Sequence, residues 1–171
     1  MKPFLPLVGL GLCIAQVAAA DTYTITVTNR MSDELLAPIA VTSAVNDPAL
    51  FDGPYVTQAA ETQILTGDPS AVVASIGAVG VVHGNDGPPG VLLAPGDSVT
   101  FDYETDATAL RILAMVAPTM LPDTYVAGIA DLQAADGVTL ILDRFDIGND
   151  EGTHVRTQIA EGAAQIQITR H

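Results

Sequence analysis

The sequence predicts an all-β fold: an antiparallel β-sandwich of about eight strands, with a short two-helix insertion after the second strand. Three observations carry it. Apolar and hydroxyl residues alternate with period two, Gly, Pro and Asp clusters recur at short intervals, and one region alone has helix start and stop signals. Of 171 residues the first 20 read as a leader, which leaves one ordinary domain, residues 21–171.

The leader has Lys2, an apolar run from about Phe4 to Val17, and Ala18-Ala19-Ala20 before the polar Asp21. That is the pattern of a secretory signal peptide, and the apolar run, roughly 14 residues, is short of the roughly 20 that span a bilayer. The expectation is an exported protein, periplasmic or extracellular. Cys13 follows Leu12 where lipid attachment wants a small residue, so it reads as leader filler. Without it the domain has no cysteine, hence no disulfide, thiolate metal site or cysteine nucleophile.

Tyr23–Thr28 alternates strictly and is β-branched, as a half-buried first strand requires. Leu35–Thr42 is the second strand, where Pro38 demands an edge or a bulge. The helical region runs from Val56 to about Val79 and is split by Thr66-Gly67-Asp68-Pro69: Gly67 closes one helix, Asp68 caps the next, and Pro69 occupies its first position. Residues 80–97 read as connectors, with turn clusters at His83–Gly90 and Pro95-Gly96-Asp97. Strands resume at Ser98, with Val99, Phe101 and Tyr103 on one face and Thr100, Asp102 and Glu104 on the other. Leu110–Ala117 is a central strand, followed by Tyr125–Ile129, Val138–Leu142 and one or two short strands between His154 and Thr169.

Charge narrows the function classes. Six Lys+Arg stand against 20 Asp+Glu, a formal charge of −14, or −15 once Lys2 is set aside with the leader. Such a surface repels phosphate backbones and anionic lipid, so nucleic acid and anionic membrane surfaces are not expected partners. Acidic loops on an exported protein invite a cation instead. The densest cluster, Asp143 to Glu151, holds four carboxylates in nine residues with Arg144 as the one compensating charge. Asp146 and Asp150 flank Gly148, whose freedom lets the backbone curl so that both carboxylates face one point. Hard cations such as Ca2+ take six to eight oxygens from flexible loops of this kind, although the spacing is not that of an EF-hand. Asp123, in the loop after the central strand, is a second candidate, because a sandwich gathers the loops at one end. Asp102, on the polar face of its strand, is a third; taken alone, it reads as a plain solvent-facing acid, and the cluster as a solvated turn.

The order of these motifs resembles the spondin N-terminal domain, found in animal matrix proteins of the F-spondin and mindin type and in bacterial secreted proteins. The resemblance rests on the opening strand Tyr23–Asn29, Leu36-Ala37-Pro38, Gly67-Asp68-Pro69-Ser70-Ala71, Leu93-Ala94-Pro95-Gly96-Asp97-Ser98 leading into Phe101-Asp102-Tyr103, and the Met115–Pro118 strand end. It continues with Asp123 near Tyr125 and Val126-Ala127-Gly128, then Asp146-Ile147-Gly148-Asn149-Asp150, similar to the family's Asp-Ala-Gly-Thr-Asp. The resemblance implies a β-sandwich related to C2 domains that binds one calcium ion. It gives the ligand roles to Asp123, Asp146 and Asp150, with Asp102 as the acid of a preceding strand. It also implies a binding or adhesion module with a protein or extracellular-matrix partner. The family's cysteines and basic surface are missing, so its receptor and glycosaminoglycan contacts do not carry over.

Catalysis has little support. The histidines are His83, His154 and the terminal His171, and no nucleophile elbow, zinc-protease helix or phosphate loop is present. Paired carboxylates serve glycoside hydrolysis, but such enzymes carry aromatic platforms and this chain has no Trp. The expectation is a non-enzymatic, calcium-binding module; the alternative is a small exported metal- or carboxylate-dependent hydrolase.

Overall fold

The alternation at the start of the domain is a strand, β1 (Asp21–Asn29), in which Tyr23, Ile25, Val27 and Asn29 are buried and the threonines between them stay partly exposed. It opens a computed structural model that describes residues 20–77, 79–82, 93–117, 123–134 and 137–171. Residues 1–19, nearly all of the segment expected to be a leader, the His83–Gly90 cluster and Pro118–Pro122 lie outside the described residues.

After β1 come β2 (Leu35–Ser43), a 3-10 helix (Ala44–Ala49), a small hairpin of β3 (Phe51–Asp52) and β4 (Tyr55–Val56), α1 (Gln58–Thr66), α2 (Ser70–Ile76) and β5 (Val79–Val82). Then follow β6 (Ser98–Thr105), β7 (Ala109–Ala117), β8 (Thr124–Asp131), β9 (Val138–Asp146) and β10 (Thr157–Arg170). Eight strands form one antiparallel sheet in the order β5-β2-β7-β8-β9-β10-β1-β6. It curls into a sandwich, the β5-β2-β7-β8 half facing the β9-β10-β1-β6 half. Two close approaches register the curl. A Cβ on Gly80 of β5 would lie 2.7 Å from the Tyr103 ring of β6, and one on Gly128 of β8 would lie 2.4 Å from Leu142 Cδ2 of β9.

Between the halves lies the main core, with Ile25 and Val27 from β1, Ile39 and Val41 from β2, Leu110 and Ile112 from β7, Leu142 from β9, and Ile166 and Ile168 from β10. Each fully buried side chain of this size stabilises the fold by roughly 1.5–3 kcal/mol. A second core forms on the other face of β7 and β8, where Leu113, Tyr125 and Ala127 meet Leu50, Ala60 and Ile64, Val72, and Ile147. From Ile112 onward β7 is covered on both faces, and its sequence there is continuously apolar.

Local signals worked as chemistry requires. The Thr57 hydroxyl caps α1 by accepting from Ala60 N, and Gly67 closes it at φ +72°. α2 starts one residue later than expected: Pro69 is its N-cap and Ser70 its first residue, and Asp68, just outside, accepts from Ser70 N through Oδ1 at 2.9 Å. β2 is internal, so Pro38 is accommodated by the irregularity between Leu36 and Ile39.

Four further elements differ from expectation. Val56 belongs to β4 and not to a helix, and Val79–Val82 is a strand where a helix end and connector were expected. β9 extends to Asp146, so the acidic cluster begins on a strand. The C-terminal segment is one 14-residue strand with irregular pairing between Gln158 and Ala164, where Gly162 sits at φ +70° and breaks the alternation.

The Gly128 contact is testable. Leu142 is wholly buried and has nowhere to swing, so Gly128→Val is expected to cost about 1–3 kcal/mol by overpacking. Denaturant midpoints of the two proteins measure it; equal midpoints would refute the approach of β8 on β9.

Candidate functional site: a carboxylate cluster at the sandwich end

β8 and β9 pair over Thr124↔Asp146 to Ala127↔Asp143 and then diverge. Thr124 opposite Asp146 brings Asp123, the residue before β8, beside the end of β9. Ile147 N donates to the Asp123 carbonyl at 3.2 Å, fixing that approach. The loop 147–156 then returns Asp150 and Glu151 to the same place. Oxygens of Asp123, Asp146, Asp150 and Glu151 all lie within 4.8 Å of one another.

Three of the four residues singled out from sequence are thus brought together; Asp102 is not. It lies exposed on β6, at the far edge of the sheet order, and accepts a hydrogen bond from Thr24 Oγ1 at 2.7 Å. Strand alternation puts it on the outer face beside Thr100 and Glu104, apart from the cluster. Glu151 joins instead. Its adjacency to Asp150 was visible in the sequence, but not that both consecutive carboxylates reach the cluster. Asp143, the other acid of the run, accepts from Gln158 Nε2 and Gly162 N and so supports the irregular part of β10.

The loop is built to hold these groups. Asp123 is 1% exposed, and its Oδ2 accepts from Asn149 N at 2.7 Å and Asp150 N at 3.3 Å. Its Oδ1 is buried with no hydrogen-bond partner. Asp146 Oδ1 accepts from Gly148 N at 2.6 Å. Gly148 has φ +68°, and a Cβ there would come within 2.2 Å of Thr153 Oγ1, so glycine is required on both counts. The Gly148 carbonyl accepts from Thr153 N and His154 N, closing a tight turn in which His154 adopts φ +52°. His154 itself is exposed and serves the turn through its backbone.

Electrostatically the cluster is uncompensated. Arg144, two residues before Asp146, is engaged elsewhere: its Nη1 and Nη2 donate to the two carboxylate oxygens of buried Glu34, and its Nε and Nη2 to Thr124 Oγ1 at 3.1 and 2.8 Å. Among the described residues the ion pairs are Arg111–Asp47, Arg144–Glu34 and Arg170–Asp21, none of them in the cluster. A hydrogen bond shared with Asp150, together with the negative charge of Asp146 and Asp150, raises the Glu151 carboxyl above its ordinary value. A buried carboxylate needs hydrogen bonds or an opposite charge, and Asp123 has the first on one oxygen only. Four carboxylates from three chain segments form an oxygen-only set suited to a hard metal ion.

Arg144→Met strands the Glu34 carboxylate and is expected to cost about 3–5 kcal/mol, most of it recovered in the double variant with Glu34→Leu. Denaturant unfolding of the three proteins measures both effects; a Arg144→Met cost near zero would refute the pair. Because the Glu151 value is raised in the folded state, its stabilising contribution is complete below the ordinary carboxyl value and is lost as pH rises through the raised one. In chelator, wild type should therefore lose thermal stability relative to Glu151→Gln as pH rises above the ordinary carboxyl range. Parallel curves would show that Glu151 does not face the other acids.

No protein-family profile and no curated protein matches the chain, so the cluster has to be interpreted from its own chemistry.

Proposed function

We propose that this chain is an exported, calcium-binding β-sandwich module of the spondin type, which engages a protein or matrix partner in adhesion and whose ion orders the loops at one end of the sandwich. The observation that carries the calcium assignment is Asp123 Oδ1, a buried carboxylate oxygen without a hydrogen bond, set among three further carboxylates. A cation supplies the partner that this oxygen lacks.

Calcium suits the arrangement better than magnesium. Two carboxylates form a buried floor and two, Asp150 and Glu151, an exposed rim, which allows waters to complete a large and irregular oxygen shell. Magnesium demands a near-ideal octahedron and gives up its waters reluctantly. Asp123, Asp146 and Asp150 are also the positions to which the spondin resemblance gives ligand roles. Export is supported by the charge and apolar pattern of the leader, and a binding role by the absence from the sequence of any catalytic motif.

The test is thermal unfolding with calcium, with magnesium and with chelator. At calcium about a hundredfold above its dissociation constant, binding to the folded state alone adds about 2.7 kcal/mol, roughly 5–10 °C for a domain of this size. Asp123→Asn keeps an oxygen for the two backbone donors while removing the buried charge. It is expected to abolish the calcium shift and to leave the midpoint in chelator equal to or above that of wild type. Identical midpoints in calcium and chelator would overturn the assignment, and equal shifts with magnesium would replace calcium by an unselective site.

A further inference from the structure

The loop that carries the acids has a second attachment. Its base is closed by the pair Asp146↔Thr157. One limb gives Asn149 N and Asp150 N to Asp123. The other ends at Arg156, whose backbone N donates to Pro54 O at 2.8 Å and whose guanidinium carbon lies 4.5 Å from the centre of the Phe51 ring. Arg156 Nη2 also reaches Gly53 O, at 3.4 Å. Phe51, Gly53 and Pro54 belong to the β3–β4 hairpin, which has only the pairs Phe51↔Val56 and Asp52↔Tyr55 of its own.

A two-pair hairpin has little stability by itself. Phe51 anchors its base against Tyr125, the ring centres 6.3 Å apart. Among the described residues, the one backbone hydrogen bond that ties its tip, Gly53-Pro54, to the rest of the chain comes from Arg156. Between the two limbs the turn is fastened on Gly148 O by Thr153 and His154. The stretch from Gly148 to Arg156 is thus short and internally bonded, so a displacement of its acidic limb is passed to Arg156.

We infer that cation binding at the carboxylate cluster regulates the β3–β4 hairpin, with Arg156 as the clamp that fixes the hairpin tip and holds the exposed Tyr55 in place. This rests on the cation reading above. With the ion present, Asp150 and Glu151 are drawn onto the floor acids and the loop holds Arg156 over Phe51. With the ion removed, repulsion among the four carboxylates loosens residues 149–151, and the hairpin loses its outer support.

Amide hydrogen exchange of the purified protein, in calcium and in chelator, tests this. Calcium is expected to slow exchange about tenfold at 147–156 and at 51–57, and to leave β6, at the far edge, unchanged. In Arg156→Ala the calcium effect is expected to persist at 147–152 and to fall away at 51–57. If calcium protects 147–156 and raises the midpoint while 51–57 exchanges at one rate throughout, the clamp is refuted and the ion site stands. Equal slowing at β6 would mark a general stabilisation and also refute the clamp. Undiminished protection of 51–57 in Arg156→Ala would refute the role of Arg156. No calcium effect anywhere would overturn the ion site and the inference together.

Discussion

The four-residue ladder between β8 and β9 is the constraint on which the remainder of the molecule depends. It is the corner at which one sheet becomes two layers: β8 goes on to β7 and the helix-covered half, and β9 to β10 and the exposed half. Past Ala127 the strands separate, and Gly128 leaves space that Leu142 fills. At the closed end the interior thins, and the inward positions of β9 record it in order. Leu142 belongs to the apolar core, Arg144 forms an ion pair, and Asp146 belongs to the cluster. The change from apolar to charged along one face of one strand follows the depth of the core.

Those two charged positions are solved in opposite ways. Arg144 is engaged through four of its five N–H donors, two on the Glu34 carboxylate and two on Thr124 Oγ1. A guanidinium held in that geometry cannot also turn toward Asp146. Removing the nearest positive charge from the cluster is therefore a consequence of stabilising the layer interface through Glu34. The backbone supplies Asp123 and Asp146 with amide donors, yet these satisfy one oxygen of Asp123 and leave the other bare. Uncompensated charge, preformed floor and open rim arise from one local arrangement.

Much of this was legible in the residues. Period two placed β1 and the faces of β6, the Gly67-Asp68-Pro69 break separated α1 from α2, and Pro38 announced an irregularity in β2. The curl between Asp146 and Asp150 was legible because glycine tolerates the left-handed backbone such a turn needs, and Gly148 has φ +68°. Alternation put Asp102 on the solvent-facing side of β6, where it lies; its place near the acids came from the resemblance alone, and alternation assigns a face but not a position in the sheet order. That order is set by β1 pairing with both β6 and β10, contacts far apart in sequence. β5 is only four residues long, and in β10 the residue at φ +70° interrupts the period that would have revealed one strand. The Arg144–Glu34 pair joins residues 110 apart, and no local pattern encodes it.

A chain with a formal charge of −14 concentrates cations near its whole surface, so cation sensitivity alone does not distinguish a site. Burial does. Exposed acids such as Asp102, Asp150 and Glu151 interact through water and are screened beyond about 8 Å at physiological ionic strength. Asp123, at 1% exposure, is not screened in this way. Its charge is screened much less by salt, and the exposed rim acids are the ones with room to move away from it. An ion bound here would spend its selectivity on the rim, since the floor is already held by Asn149, Asp150 and Gly148 amides. The loop that supplies the rim is also the one that grips the hairpin through Arg156. The part of the site with most freedom is therefore the part whose ordering reaches furthest into the fold.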